Sequence, residues 1–367
     1  MAKLGEVCLI NPKSCTLRDD TEVSFIPMTK VGEHGEFDAS EIKNYSEVKK
    51  GFTNFQNGDI LFAKITPCME NGKGAIAHNM KNGIGFGSTE FHVLRPDTDK
   101  ITSEWLYYLT TWETFRKEAE RNMTGSAGQK RVPKTFLENY VVNLPDIDTQ
   151  KSENKILRKV DDLIFLRKQQ FAKLDELVKA RFVEMFGDPV SNPMGWKRVR
   201  FDSISENLDS KRVPVTESDR KEGVYPYYGA SGIVDWINDY IFDEDILLVS
   251  EDGANLLMRS TPIAFSVSGK SWVNNHAHVV RFHDFATQKF IEVYFSLIDI
   301  SEYITGTAQP KLNQAKLNTM LFCWPPLSLQ KQFAAFVERV DQQKQTVQQS
   351  LEKLELMKKA LMQEYFG

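Results

Sequence analysis

Four stretches of the chain carry basic and amide side chains with no acid among them. Asn71 through Thr89 contains Lys73, His78 and Lys81. Asn122 through Lys134 contains Gln129, Lys130, Arg131 and Lys134. Gly253 through His283 contains Arg259, Lys270, Asn274, His276, His278 and Arg281. Thr305 through Lys316 contains Gln309, Lys311 and Lys316. Lys and Arg in such loops suit phosphates, Arg can bridge two acceptors of guanine, and Asn or Gln can pair in two places with adenine. With Lys64, at the end of an apolar strand, the set Lys64, Lys73, Lys81, Gln129, Lys130, Arg131, Lys134, Arg259, Lys270, Asn274, His276, Gln309 and Lys311 forms the candidate contact surface for nucleic acid. Gln129 and Gln309 fall at matching places in two of the stretches, as readers or positioners of bases. The plain alternative is a group of solvated loops that lack acids by chance.

Other chemistries fare worse. His276-x-His278 would put two rings on one strand face, where a metal could be held, but no Cys or carboxylate stands at a suitable spacing; His278 reads as structural or DNA-facing, and no metal is expected. Trp236, Trp272 and Phe62 could stack on bases, yet aromatic rings more often pack a core. A methyltransferase needs an Asn/Asp-Pro-Pro-aromatic tetrapeptide, and the one Pro-Pro here is preceded by Trp324. No phosphate-binding P-loop is present. Asp146, Glu153 and Lys155 loosely match a nuclease metal site, but Glu153 and Lys155 fall on a helix start, where acids are ordinary partners of the helix dipole. No catalytic residue is expected.

The elements that position the basic loops repeat. Gln150 to Gly187 is rich in helix formers, has no Pro, and has one Gly at its very end. Leu157, Ile164, Phe171, Val178 and Met185 recur every seven residues, with Val160, Leu163, Leu174 and Leu177 beside them. The pattern predicts one long helix with an apolar seam, roughly 55 Å in length at 1.5 Å per residue. Residues 330–367 repeat it, with Phe333, Val340, Val347, Leu354 and Leu361 every seven. Adding 180 carries Gln150 onto Gln330, Val160 onto Val340 and Phe186-Gly187 onto Phe366-Gly367. Two such helices bury their seams most simply against each other.

The flanking globules repeat as well. In the first, strands are expected at Val23–Met28, 59–65 and 91–95, a glycine-rich loop over Asn71 to Gly87, a helix over Ser103–Arg121 capped by Ser103, and a short helix and strand over 134–144. Adding 186 places Asp59-Ile60-Leu61 on Asp245-Ile246-Leu247 and His92-Val93-Leu94-Arg95 on His278-Val279-Val280-Arg281. The expected plan is α+β: a globule over 1–148, a long helix over 149–188, a second globule over 189–327 and a second helix over 328–367. The loops diverge on this shared scaffold, which suggests one task carried out on two targets.

Composition bounds the reading. The formal net charge is −4, so nucleic-acid binding must come from local patches. The four cysteines show neither CxxC pairing nor zinc spacing and read as reduced thiols. The start is unlike a signal peptide, and no apolar run approaches the ~20 residues of a membrane span. A cytoplasmic, prokaryotic protein is expected.

The whole chain resembles the specificity subunit of a type I restriction–modification system. The resemblance rests on Gly58-Asp59-Ile60-Leu61 and Thr124-Gly125-Ser126-Ala127-Gly128-Gln129 in the first half. In the second it rests on Tyr225-Pro226-Tyr227-Tyr228-Gly229-Ala230-Ser231-Gly232-Ile233 and Thr305-Gly306-Thr307-Ala308-Gln309-Pro310-Lys311-Leu312. Phe-Gly at the end of both helices completes it. The resemblance implies that each globule reads one half of a split DNA site and that an antiparallel coiled coil sets the gap. It implies no cofactor in this chain. S-adenosylmethionine would sit on two modification subunits, and ATP and Mg²⁺ on two restriction subunits. The helices' outer faces and their ends, with Phe182, Met185, Phe186, Met362, Tyr365 and Phe366, would meet the modification subunits. The rival reading is a coiled-coil scaffold that binds only proteins.

Overall fold

A computed structural model describes every residue but Ala127 and Thr307, so those two members of the loop motifs lie outside the described residues. The chain forms two compact units: residues 1–166 with 351–367, and residues 167–350.

The first unit holds two four-stranded sheets. One is antiparallel, in the order Cys8–Ile10, Phe91–Pro96, Ile60–Ala63, Gly74–Ile76. Ile60, Leu61, Phe62 and Ala63 are all buried, as an unbroken apolar strand covered on both faces must be. The other sheet runs Ile42–Asn44, Glu22–Ile26, Ile84–Gly87, Thr53–Gln56, with its two middle strands parallel. The stretch read as a glycine-rich loop therefore contributes two strands. Glycine serves close approach there: a Cβ on Gly87 would lie 2.0 Å from the Ile26 carbonyl oxygen.

The second unit repeats the plan. Its sheets run Glu206–Asn207, Ala277–Arg281, Ile246–Ser250, Ala264–Val267 and Gly232–Ile237, Glu222–Gly229, Lys270–Val273, Phe242–Asp243. Leu61 pairs with Val93 in the first unit and Leu247 with Val280 in the second, so the same two strands pair in both units, with the register displaced by one residue from the 186-residue shift.

The helix expected over Ser103–Arg121 is two helices, Ser103–Thr111 and Glu113–Arg121, broken at Trp112, whose φ −62° and ψ 131° are extended. Its cap is Thr102, whose hydroxyl accepts from the Trp105 amide at 3.2 Å. Ser103 instead donates to the Gly58 carbonyl.

Each long helix has forty residues, Ile147–Phe186 and Leu327–Phe366, and begins three residues before Gln150 and Gln330, where the two repeated stretches begin. Asp146 extends the first by accepting from the Thr149 amide at 2.8 Å. In the first unit the opening of one helix meets the close of the other: Lys358 pairs with Asp161 at 2.6 Å. In the second unit Lys344 pairs with Asp175, and Arg167 donates to Ser350 at 3.2 Å. The packing is antiparallel in both. Leu157, Val160, Leu174, Val178, Val340 and Val347 are buried in the seam, whereas Leu163 and Leu177 are exposed. At 3.6 residues per turn, Leu163 lies about 120° round the helix from Leu157.

The helix ends differ from the sequence reading. Phe182 and Phe186 are buried beside Phe290 and Phe333 in the second unit's core. Met362 is buried in the first unit's core, with Tyr365 and Phe366 packed against it, and Met185 packs on the second. These side chains anchor each globule to its helices and do not stand free for a partner. Elsewhere along the long helices some apolar side chains are left in solvent; Phe165 is 60% exposed and Leu356 69%.

Candidate nucleic-acid interface

Both variable loops hang from the end of a central buried strand. In the first unit, Thr124 and Arg131 exchange backbone hydrogen bonds of 2.9 and 2.8 Å that close the loop. The Thr66 amide then donates to Lys130 and the Val132 amide to Lys64, at 3.0 and 2.9 Å. In the second unit Thr305 and Lys311 exchange two bonds of 2.8 Å, Gly253 donates to Pro310 at 3.0 Å, and Leu312 donates to Glu251 at 2.8 Å. The same device holds loops of different sequence.

Glycine is required where each loop turns. Gly125 has φ +125°, and a Cβ there would lie 2.9 Å from the Gln129 carbonyl oxygen. Gly306 has φ +82°, with Gln309 at 2.5 Å. Gly128 also has positive φ, but its Cβ would meet nothing within 4 Å. A side chain in the left-handed region costs roughly 1–2 kcal/mol. We expect Gly125→Ala to speed amide exchange over 124–131 by about tenfold, and Gly128→Ala to do so by less; equal effects would contradict the close approach.

The structure gathers part of the predicted set. Lys64, Gln129, Lys130 and Arg131 lie at one end of Ile60–Ala63, and the Ala63 amide donates to the Lys73 carbonyl nearby. His276, Gln309 and Lys311 meet at the end of Ile246–Ser250, where His276 Nδ1 lies 2.9 Å from Asp252 and the Glu251 amide donates to the His276 carbonyl. Lys81 sits at the opposite end of its sheet, paired with Glu22 at 2.9 Å. Lys134 pairs with Glu138 one turn along its own helix. Lys270 stands over the Tyr240 ring at 4.6 Å, away from the loop. Arg259 donates to the carbonyls of Phe295 and Ile298 at 3.1 and 3.0 Å, which closes the end of helix Phe285–Leu297. Asn274 is buried, and its side-chain oxygen accepts from the His276 amide. Phe62 is core and Trp272 donates to the Val213 carbonyl, while Trp236 is 50% exposed against the expectation of core packing. Glu153 accepts from the Trp105 indole at 2.8 Å, which ties the helix start to the globule.

Acids distant in sequence return in space. Arg131 makes two bonds to Glu90 at 2.9 and 2.8 Å, which hold the Glu90 carboxyl below its usual range. Lys311 pairs with Glu251 at 3.1 Å. Lys64 and Lys130 have no acidic partner among the ion pairs of the described residues, so the first loop is the more cationic.

Beneath the second loop lies a buried cluster, Asp209, Glu251 and His278, with carboxylates and an imidazole within reach of a common point. The spacing argument against a metal at His278 missed these acids, which arrive from the short 3-10 helix Asp209–Lys211 and from the residue after the strand Ile246–Ser250. A cation already stands there: Arg212 bonds Glu251 at 2.6 Å and approaches Asp209 at 3.5 Å. Burial works against the charge of both carboxyls, but His278 on Asp209 and Arg212 on Glu251 outweigh it and hold both below the ordinary range. A carboxyl depressed in the folded chain stabilises it above the unfolded value, about pH 4, and the contribution is lost as pH falls through the folded value. The second loop's amide protection factors are therefore expected to hold near neutrality and to decline below about pH 4. Factors that stay flat through that range would contradict the role given to the cluster.

Comparison with known proteins decides the family. The type I restriction modification DNA specificity domain matches residues 1–176 and 193–356, one copy for each repeat. The chain belongs to this family. It is 48% identical over 158 residues to the EcoAI specificity subunit of Escherichia coli, 42% of this chain and 26% of that protein. It is 32% identical over 143 residues to a putative type I specificity subunit of Haemophilus influenzae, 39% of this chain and 36% of that one. The aligned stretches thus span about a quarter to a third of these relatives. The fold is shared with the crystal structure of a type I S subunit from M. genitalium, at TM-score 0.57 and 12% identity over 100% of this chain and 95% of that one. A chain solved in work on assembly and conformational transition of a type I R-M system matches at TM-score 0.58 and 15% identity, over 99% and 96%. As a type I specificity chain it has, among its described residues, no helix long and apolar enough to cross a membrane.

Sequence reasoning missed Asn11, Glu90, Asp209, Arg212, Glu251 and Asp252, which hold or neutralise the loops. One signal was available: the 186-residue shift that places His92 on His278.

Proposed function

We propose that this chain is the DNA-reading subunit of a type I restriction–modification enzyme, in which each globule reads one half of a split site and the paired helices set the gap. The observation that carries the reading is the repeated loop mount, one backbone device presenting two different sets of side chains. In the first globule the proposed contacts are Lys64, Lys73, Gln129, Lys130 and Arg131; in the second, His276, Gln309 and Lys311, with Lys81, Lys134 and Lys270 as outlying phosphate contacts. Arg259 and Asn274 drop out, because their donors and acceptors are engaged or enclosed within the protein. The exposed apolar side chains on the helices, Phe165, Leu166 and Leu356 among them, are the proposed seat of the modification subunits, which would carry S-adenosylmethionine. ATP and Mg²⁺ belong in this reading to restriction subunits, and the enzyme works in the cytoplasm.

The test is long-read mapping of methylated adenine in a methylation-null host that co-expresses this chain with its modification subunit. A split motif with a fixed unspecified gap is expected, and exchange of one globule should change one half only. A stable complex that leaves no methylation would favour the protein-only scaffold.

A further inference from the structure

The end of each loop meets a buried histidine. In the second unit His278 Nε2 lies 2.7 Å from the carbonyl oxygen of Leu312, the residue that follows the loop. Its Nδ1 lies 2.6 Å from Asp209 Oδ2, and Asp209 Oδ1 accepts from the Val279 amide at 2.8 Å. In the first unit His92 Nε2 lies 2.8 Å from the Val132 carbonyl oxygen, again the residue after the loop. Its Nδ1 lies 3.0 Å from Asn11 Nδ2, and Asn11 Oδ1 accepts from the Val93 amide at 3.0 Å. Two Asx side chains at different sequence offsets thus make the same pair of bonds. Both histidines are almost wholly enclosed, as are Val132 and Leu312.

We propose that His92 and His278 are positioning residues that latch the two DNA-facing loops, the first as a neutral ring and the second as an imidazolium. This rests on the proposed DNA-reading function for what the loops do, but not for how they are held. The protonation follows from donors and acceptors. A carbonyl only accepts, so Nε2 carries a proton in both rings. Asn11 Oδ1 is engaged by the Val93 amide and lies 3.4 Å from Nδ1, whereas the –NH₂ lies nearer at 3.0 Å, so Nδ1 accepts from the –NH₂. The ring of His92 is neutral, and burial pushes its pKa down in the same sense. Asp209 offers only acceptors, so Nδ1 of His278 carries a second proton. The charged groups around His278 balance it: Asp209, Glu251 at 3.7 Å from Nδ1, Arg212 across both acids, and Lys311 on Glu251 from the loop itself. Around His92 stand Lys64, Lys134 and Glu90, with no carboxylate bonded to the ring. The second loop is therefore tied to its globule by a buried ionic network, and the first by neutral bonds and the half-buried Arg131–Glu90 pair.

The experiment uses the full chain. Ring ¹⁵N spectra should show both nitrogens of His278 protonated and one of His92; a neutral His278 overturns the assignment. Asp209→Asn recreates the Asn11 arrangement and should turn His278 neutral while the 305–312 amides stay protected. His278→Phe should speed exchange of those amides at least tenfold and leave 124–132 unchanged, and His278→Gln, which keeps a donor for Leu312, should restore part of the protection. Unchanged exchange in His278→Phe overturns the latch. DNA duplexes with one half of the mapped motif scrambled separate the two claims. Loosened amides with weaker binding at one half only support both claims. Loosened amides with undiminished binding leave the latch standing and overturn the loop as a DNA contact.

Discussion

Phe182→Ala is expected to cost the second unit about 3–5 kcal/mol, the range for deleting a buried aromatic ring. The side chain is 1% exposed. Its ring is stacked on Phe290 at 5.2 Å and meets Phe186, Tyr294 and Phe333 edge-on at 5.0, 5.7 and 5.5 Å. Five rings from both long helices and the globule helix Phe285–Leu297 thus share one centre, and no small movement of the backbone refills it. Phe165→Ala, on the solvent side of the same helix, should change stability by no more than about 0.5 kcal/mol. Denaturant titration of the two variants makes the comparison, and a cost below about 1 kcal/mol for Phe182 would mean that the helix end is not the globule's anchor. Phe366 does the equivalent work in the first unit, 4.8 Å from Trp105 and 6.3 Å from Trp112. Removal of the last turns of the chain would accordingly weaken the first globule itself, before any partner is considered.

The duplicated architecture was legible because it leaves long-range marks in the sequence: a seven-residue apolar repeat twice over, and constant shifts of 180 and 186. The sheet strands at Ile60 and Phe91 were legible for the same reason, as apolar runs long enough to be buried on both faces. The strands Gly74–Ile76 and Ile84–Gly87 were not. They are held by neighbours that need glycine at the point of approach, and glycine in sequence reads as loop. The break at Trp112 escaped because local helix propensity continues across it while the fold turns. Phe182 and Phe366 followed the helical pattern, and nothing along the chain says whether an aromatic at a helix end faces a partner or its own globule.

The candidate contact surface was half legible. Acid-free stretches do mark the two loops, since the loops are continuous in sequence. Their net charge is not a property of the stretches alone. Glu90, Glu251 and Asp252 come from flanking strand ends, and Asp209 from 69 residues before His278. A count along the chain overstates the positive charge of the second loop far more than that of the first. Arg259 shows the same limit: its basic side chain, in an acid-free run, is held by two backbone carbonyls at the end of a helix.

Gln150→Leu should be among the most damaging conservative-sized changes in the chain, and worse than Gln330→Leu at the matching place. Both glutamines are completely buried at the start of a long helix. Gln150 Oε1 accepts from the Thr102 amide at 2.9 Å, and its Nε2 donates to the Lys100 and Pro145 carbonyls at 2.8 and 2.9 Å. Thr102 in turn caps Ser103–Thr111 and receives the Asn154 amide at 2.9 Å. Leucine would remove three hydrogen bonds, one from a backbone N–H and two to carbonyls, at about 1 kcal/mol each, so a total loss of about 3 kcal/mol is expected. Gln330 accepts from the Thr287 hydroxyl at 2.7 Å and donates to the Pro325 carbonyl at 2.9 Å. A hydroxyl rotates to another acceptor where a backbone amide cannot, so the second change should cost roughly 1–2 kcal/mol. Hydrogen exchange resolved by unit can read the two losses separately. Equal costs would show that the glutamines serve as packing alone, and that the backbone amide at Thr102 finds another partner when its own is removed.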